Sequence, residues 1–416
     1  MSMKTWNFDD ILAPVKTEDF LTRMLGKSCL HLRGSPEKFS SLLSWGDINR
    51  ILCRSGLDLN RVLVPSHAGD LPAEHFCRNA LSGFPCIRVP EVNELLADGA
   101  VLAINAAEDL HEPILEFCRA IERSLGVPVQ AQIRCSCRAT NSEAHSYDHD
   151  IFVFQLLGGS GWHLRRNDSP RTVPDDTNGS TPSALDLSLN PGDLLYIPRG
   201  RRHSNRFLIE PAVSITVIFK NPTGVELTAR LFDRLKETEI VRYDVPRFAS
   251  DEVQATYLTA LQAEIIRICT EPGLLLGFMK DLWSISEPTR SLSLPWSGIR
   301  GLFSLPEHLE LGAATRFPHQ DTLTYSEQED TFEIVHEGNR IRLDHDSGKI
   351  MDSVLNSGIL SVAKLSRSSS IPAEQLLMKL SEIIRRGLII AREPAAGSGG
   401  NPHADSAPRS QGSETI

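Results

Sequence analysis

The stretch LSLNPGDLLYIPRGRRHSNRF, Leu187 to Phe207, constrains the fold more than any other part of the chain. Pro191-Gly192-Asp193 and Pro198-Arg199-Gly200 are both turn chemistry: proline presets φ, glycine supplies positive φ, and aspartate bonds to nearby backbone. Between them, Leu194 and Tyr196 have strand composition. A strand held between two tight turns, with a second strand carrying His203 directly after, reads as part of a small antiparallel β-barrel. Such a turn would aim His203 into the barrel mouth, where a metal could sit.

The surrounding sequence supports a barrel. VQAQIRCSCRAT (129–140), HSYDHDIFVFQLLGG (145–159), GWHLRRN (161–167) and AVSITVIFK (212–220) are strand candidates. GWHLRRN follows closely enough to be the hairpin partner of the segment before it. Residues 168–183 are polar and read as a surface loop. Short strands at this density, joined by turn signals, indicate a barrel or double-sheet sandwich of the cupin or jelly-roll type. Before them, DFLTRMLG and WGDINRILCRSG have helical spacing, with Asp47 a start signal and Gly56 a stop. SCLHLRG alternates like a short strand, and EDLHEPILEFCRAIERSLG is an amphipathic helix closed by Gly126.

After Pro222 the pattern becomes helical, in GVELTARLFDRLKETEI, VQATYLTALQAEIIRIC and DLWSISE. TFEIVHEGNRIRLDH then reads as a hairpin, with His345-Asp346 in a turn. MDSVLNSG, SVAKLSR and IPAEQLLMKLSEIIRRG read as short helices before the strand LIIARE, which is a winged-helix plan. Residues 394–416 lack apolar periodicity and read as a disordered tail. The expected division is a barrel with N-terminal helices over 1–222, a helical dimerisation region over 223–312, a winged-helix domain over 313–393 and the tail. The fold class is α+β, with a double-stranded β-helix at its centre.

Composition limits the partners. A net charge of −10 argues against a general nucleic-acid binder. The mixed charges Lys379, Arg385, Arg386, Glu374 and Glu382 argue the same for the winged helix. No apolar run approaches the roughly 20 residues needed to span a bilayer. The start, MSMKTWNFDD, lacks a signal-peptide pattern, so a cytoplasmic chain is expected. The eight scattered cysteines read as buried free thiols. The apolar stripes of 223–290 predict a homodimer.

Three segments resemble the ribosomal oxygenases of the JmjC/cupin superfamily. DFLTRMLGKSCLHLRGSPEKFSSLLSWGDINRIL resembles their entry segment, HSYDHDIFVFQLLGGSGWHL their first metal-ligand strand, and LNPGDLLYIPRGRRH their second. The resemblance covers roughly residues 5–392. It implies an Fe(II)- and 2-oxoglutarate-dependent dioxygenase acting on side chains of a peptide or protein. By matching, it puts the metal's histidines at His145 and His203. Two histidines and one carboxylate leave positions open for co-substrate and O₂.

The chain departs from that family at two places. DIFVFQ fixes a register that puts Tyr147 where the acid belongs, and Asp148 falls one residue late. In a regular strand Asp148 points away from His145; a bulge could bring it back, and His149 or Asp150 could also approach. Asp148 is the best candidate for the third ligand, and the other reading is that no complete iron triad forms. The second departure is Ser160, which stands where the family has the Lys or Arg that holds 2-oxoglutarate. Serine supplies no charge-assisted bond to a carboxylate, so a nearby arginine such as Arg165 would have to substitute. Asn205, Ser214 and Thr216 are the other cofactor-binding candidates, and Tyr147, His149 and Arg201 the substrate-binding ones. His163 reads as a satisfied core or rim histidine. Two readings compete with the oxygenase. One is a repurposed relative that binds a peptide or small molecule without turnover. The other is a metal site with different ligands that does not use 2-oxoglutarate.

Overall fold

The structure, a computed structural model, describes residues 6–54, 57–66, 69–71, 75–79, 85–138, 144–165, 184–285, 309–313, 323–327, 329–336, 339–357 and 359–392. The 168–183 loop, the 394–416 tail and Gly56 fall outside them. Before residue 220 the described strands are β1 (Leu30–Leu32), β2 (Val62–Ser66), β3 (Gly69–Leu71), β4 (Cys77–Asn79), β5 (Pro85–Ile87), β6 (Val101–Asn105), β7 (Val129–Ser136), β8 (Asp150–Arg165), β9 (Ala184–Leu189), β10 (Leu194–Ile197) and β11 (His203–Phe219). β4 and β5 pair only with each other. The others form an antiparallel sheet in the order β1-β10-β8-β11-β7-β6-β2-β3, with β9 added beside β8.

The barrel depends on two long strands that bend together. GWHLRRN was expected to turn back on the strand before it; instead the chain continues through Gly158-Gly159 as the single strand β8. AVSITVIFK likewise continues the strand that begins at His203. The outer half of β8 pairs with β9 and with His203–Ile209 of β11, and its inner half pairs with β10 and with Val213–Phe219. The register between β8 and β11 shifts between these halves. At the bend Gly158 has φ +65, and a Cβ there would lie 2.3 Å from the Ile209 carbonyl oxygen and 2.4 Å from that of Pro211. Only glycine fits so close an approach. Paired glycines read as a turn in sequence and serve here as a bend within one strand.

Each long strand therefore contributes to two walls, and the walls enclose a core. Ile151, Val153, Leu195 and Ile197 of one wall pack with Trp162, Leu164 and Leu189 of the other. The alternate residues Phe152, Phe154, Tyr196, Ile215 and Val217 face outward into a second, larger core. That core is closed by α1 (Phe8–Leu12), α2 (Thr17–Asp19) with a π-helical turn at Phe20–Met24, α3 (Trp45–Leu52), α4 (Val89–Ala97) and α5 (Glu112–Leu125). Phe8, Ile11, Leu12, Phe20, Ile48 and Phe117 are among the buried residues they contribute, with Phe39 from the turn before α3. α3 begins where the WGDINRILCRSG segment does, but Asp47 is not its cap. Ser44 is the N-cap, and Asp47 completes a capping box from the N3 position. The Pro191-Gly192-Asp193 turn is pinned from the N-terminal segment. Asp193 accepts hydrogen bonds from the Gly34 N–H (3.0 Å) and from the Asn190 N–H (2.9 Å).

Beyond the barrel come α6 (Gly224–Leu235), α7 (Glu239–Arg242), α8 (Asp251–Cys269) and α9 (Leu274–Ile285). The last part of the described chain holds β12 (Glu310–Ala313), β13 (Leu323–Ser326), β14 (Thr331–His336), β15 (Asn339–Asp344), α10 (His345–Ser357), β16 (Ile359–Ser361), α11 (Val362–Ser368), α12 (Ala373–Arg385) and β17 (Ile389–Arg392). The strands form two small sheets, β16-β12-β17 and β13-β14-β15, over a core that includes Leu311, Ile334, Met351, Leu365, Leu380 and Ile389. His345-Asp346 opens α10 rather than forming a turn, and the hairpin strands 331–336 and 339–344 are as expected. Cys118 and Cys135 are buried, but Cys53 and Cys269 are exposed, so the expectation of buried thiols fails for those two. Among the described residues no helix is long and apolar enough to cross a membrane.

Candidate metal centre

His145 lies outside the strands, on the segment 144–149 that leads into β8. Its main chain forms a two-way bridge with His203, the first residue of β11. The His145 N–H donates to the His203 carbonyl (2.9 Å), and the His203 N–H donates to the His145 carbonyl (2.8 Å). Directly bridged residues project to the same side, and the two rings stand 4.6 Å apart between centroids. A further bond, from the Gly200 N–H to the Tyr147 carbonyl (2.8 Å), ties the segment to the turn before β11.

His203 is prepared as a ligand. Its Nδ1 lies 2.8 Å from the Arg201 carbonyl, which can only accept, so Nδ1 carries the proton. That leaves a lone pair on Nε2, which is fully buried and has no hydrogen-bond partner. Burial pushes the His203 pKa down to about 4, against the opposing bond to Arg201. The ring is therefore neutral at pH 7, as metal ligation requires. Trp162 lies 5.8 Å from it.

Asp148 is turned the other way. Its side chain is 79% exposed and pairs with Lys220 (3.2 Å) and with Nδ1 of His149 (3.2 Å). The hydrogen bond from Lys220, then that from His149, holds its carboxyl below the usual range. His149 stacks on Tyr147, with centroids 4.5 Å apart, and its own Nε2 is buried without a partner. Tyr147 stands among the three histidines, 4.7 Å from the His145 ring and 5.4 Å from that of His203. Asp150 is fully buried but faces the outer core, where it accepts a hydrogen bond from the Tyr196 hydroxyl. Among the described residues, no three of His, Cys, Asp and Glu gather into a metal's ligand sphere. The two imidazoles fit a divalent metal, and among the described residues no third ligand is in place beside them.

The interior face of the barrel carries the other candidates. Asn205, Ser214 and Thr216 are buried. Asn205 shares a face with His203, and Ser214 and Thr216 alternate with the outward-facing Val213, Ile215 and Val217. Ser160 is committed to a neutral network. The Trp162 Nε1–H donates to its hydroxyl (3.0 Å), which donates to Oε1 of Gln155 (2.7 Å). Arg165 and Arg201 lie at the rim, where Arg201 donates to the Arg165 carbonyl (3.3 Å). His163 is exposed and paired with Asp186 (2.7 Å), a rim histidine. Arg134 escaped the sequence reading. It is on β7, with its Nε buried and unpartnered. Burial lowers its pKa and nearby Tyr147 raises it, while its own charge helps to depress that of His203. The signal was present: in VQAQIRCS, alternation puts Gln130, Gln132 and Arg134 on one face, and Arg134 is the only charge in the strand.

Comparison with known proteins places this geometry. The model of the JmjC domain matches residues 111–227, which include both histidines. Residues 111–227 thus carry a JmjC domain, and the chain is similar to ribosomal oxygenases. Ribosomal oxygenase 2 of Mus musculus is 23% identical over 257 residues, 58% of this chain and 54% of the relative. YxbC of Bacillus subtilis (strain 168) is 21% identical over 244 residues, 53% of this chain and 72% of the relative. The chain thus spans about half the length of the mouse protein. Among solved structures, the Escherichia coli ribosomal oxygenase YcfD, in complex with cobalt and 2-oxoglutarate, covers 91% of this chain and 98% of its own. Its TM-score is 0.56 at 18% identity, so the likeness is one of fold. The JmjC, cupin-type barrel with mixed helix and sheet is the fold of this protein.

Proposed function

We propose that this chain is a JmjC oxygenase that hydroxylates or otherwise oxidises an amino-acid side chain of a peptide or protein, using Fe(II) and 2-oxoglutarate. One observation carries the reading. At the mouth of the barrel His203 presents a neutral, buried and unpartnered Nε2 beside His145. A buried polar atom without a partner costs free energy, and a bound metal would remove that cost. The metal and co-substrate would supply the redox capacity, and the protein the binding and orientation.

In this reading His145 and His203 hold the metal, and Asp148 joins them when it leaves Lys220. Asp148 lies outside the β ladder, so strand alternation does not fix its direction. Asn205, Ser214 and Thr216 line the co-substrate side, with Arg165 at the rim; Tyr147, His149 and Arg201 meet the substrate. The reading also takes 1–222 as the barrel domain, 223–312 as a dimerisation region, 313–393 as a winged-helix domain, and the cytoplasm as the setting.

A second reading, a repurposed relative that binds without turnover, draws on the outward Asp148 and the uncharged Ser160. Metal analysis after Fe(II) loading separates the two, combined with anaerobic 2-oxoglutarate titration followed by its charge-transfer absorption. The oxygenase is expected to take up metal and respond to 2-oxoglutarate, and His203→Ala to lose the metal. A chain that takes up no metal is the repurposed relative. Uptake without a 2-oxoglutarate response leaves a metal site of different chemistry.

A further inference from the structure

Arg134 is the charged group that the proposed site leaves unused. On β7 it is in register with Ser214 of β11, and Ser214 is in register with Gln155 of β8. Directly paired residues share a face, so Arg134, Ser214 and Gln155 form one row across the interior wall. Gln155 continues through Ser160 to Trp162, whose ring neighbours His203. Ile133 and Cys135, on either side of Arg134, face the outer core. Arg134 is half-buried, its Nε is fully buried without a hydrogen bond, and among the described residues no carboxylate pairs with it.

A partly desolvated guanidinium with an open fork of donors is poised for an anion, since burying an unpaired charge is costly. Its planar fork matches a carboxylate through two parallel hydrogen bonds. The position expected to carry such a cation is Ser160, and the neutral Gln155–Ser160–Trp162 network already fills it. The cation of this interior therefore comes from a different strand.

We infer that Arg134, with Ser214 beside it, anchors one carboxylate of a small dicarboxylate whose other end reaches toward His145 and His203. The inference rests on the oxygenase reading for the direction in which the ligand extends. It assigns the anchor to β7, with Ser160 left as a neutral support for Trp162.

Calorimetric titration of 2-oxoglutarate and of succinate into the metal-free and Zn(II)-treated full chain tests it. The wild type is expected to bind. Arg134→Met should weaken binding by on the order of tenfold or more, and Arg134→Lys by less, since lysine keeps the charge and loses the fork. Ser214→Asp puts a carboxylate opposite the guanidinium and should abolish binding while preserving the melting temperature. This keeps the test alive if Arg134→Met fails to fold. Wild-type affinity in a folded Arg134→Met or Ser214→Asp chain overturns the inference, as does a wild type that binds neither dicarboxylate. Arg134-dependent binding without metal uptake supports the anchor and sinks the oxygenase. Metal uptake with binding indifferent to Arg134 sinks the anchor alone.

Discussion

His203 and Asp148 owe their states to different kinds of contact. His203 is held by a carbonyl two residues back and by the backbone of His145, so its tautomer and direction follow from main-chain geometry. Asp148 is held by exposed side chains, and such pairs contribute only about 0–1 kcal/mol. Asp148→Ala should therefore shift stability by less than ~1 kcal/mol in a denaturation measurement. If Asp148 is the third ligand, the same change should sharply weaken metal uptake; unchanged uptake would remove it from the site. The converse experiment is Tyr147→Asp, which places an acid at the register the family resemblance assigns. It should tighten Fe(II) binding without altering the His145–His203 bridge, read as metal affinity against a wild-type control. These residues show where sequence reasoning ran out. The turn residues around His203 act within a few positions and could be read directly. The set of Asp148 depends on Lys220, 72 residues away, and the use of Arg134 depends on which strands flank β7.

At the scale of elements, the capping box of α3 links local sequence to acid stability. Burial raises the Asp47 pKa, but the Ser44 hydroxyl and backbone N–H, then Arg50, prevail and hold it at about 2 against an ordinary 3.8. Because the folded value is depressed, the stabilisation is complete above the ordinary value and is lost as pH falls from about 4 through about 2. Thermal melts should show a loss of about 2 kcal/mol across that window, at 1.36 kcal/mol per pKa unit. Ser44→Ala should cost ~1 kcal/mol at pH 7 and flatten the acid limb. Element type and order were largely legible, from α5 with its closing Gly126 to the strands around His203. The single long β8 was not, because Gly158-Gly159 looks the same in sequence whether it turns a hairpin or bends a strand.

At the scale of the whole molecule, the helices beyond the barrel present apolar side chains to solvent. Phe232 of α6, Phe248 just before α8, Leu258 and Ile266 of α8, and Leu275 of α9 are all exposed. The proposed dimer would cover these side chains, since large exposed apolar groups of this kind are found where proteins interact. Light scattering at micromolar concentration should give the mass of a dimer, and Phe232→Asp with Ile266→Asp should reduce it to that of one chain. A wild type that scatters as a monomer would refute the dimer.

The two-way bridge between His145 and His203 also closes a ring in the chain, with β8, β9 and β10 inside it. Metal held by the two rings would act as a clasp at the neck of that ring, opposing the local opening that lets solvent reach the bridging amides. Hydrogen exchange at the His145 and His203 amides should therefore slow on metal loading, even in a chain that never turns over a substrate. The neck of the ring would then report occupancy of the site independently of its chemistry.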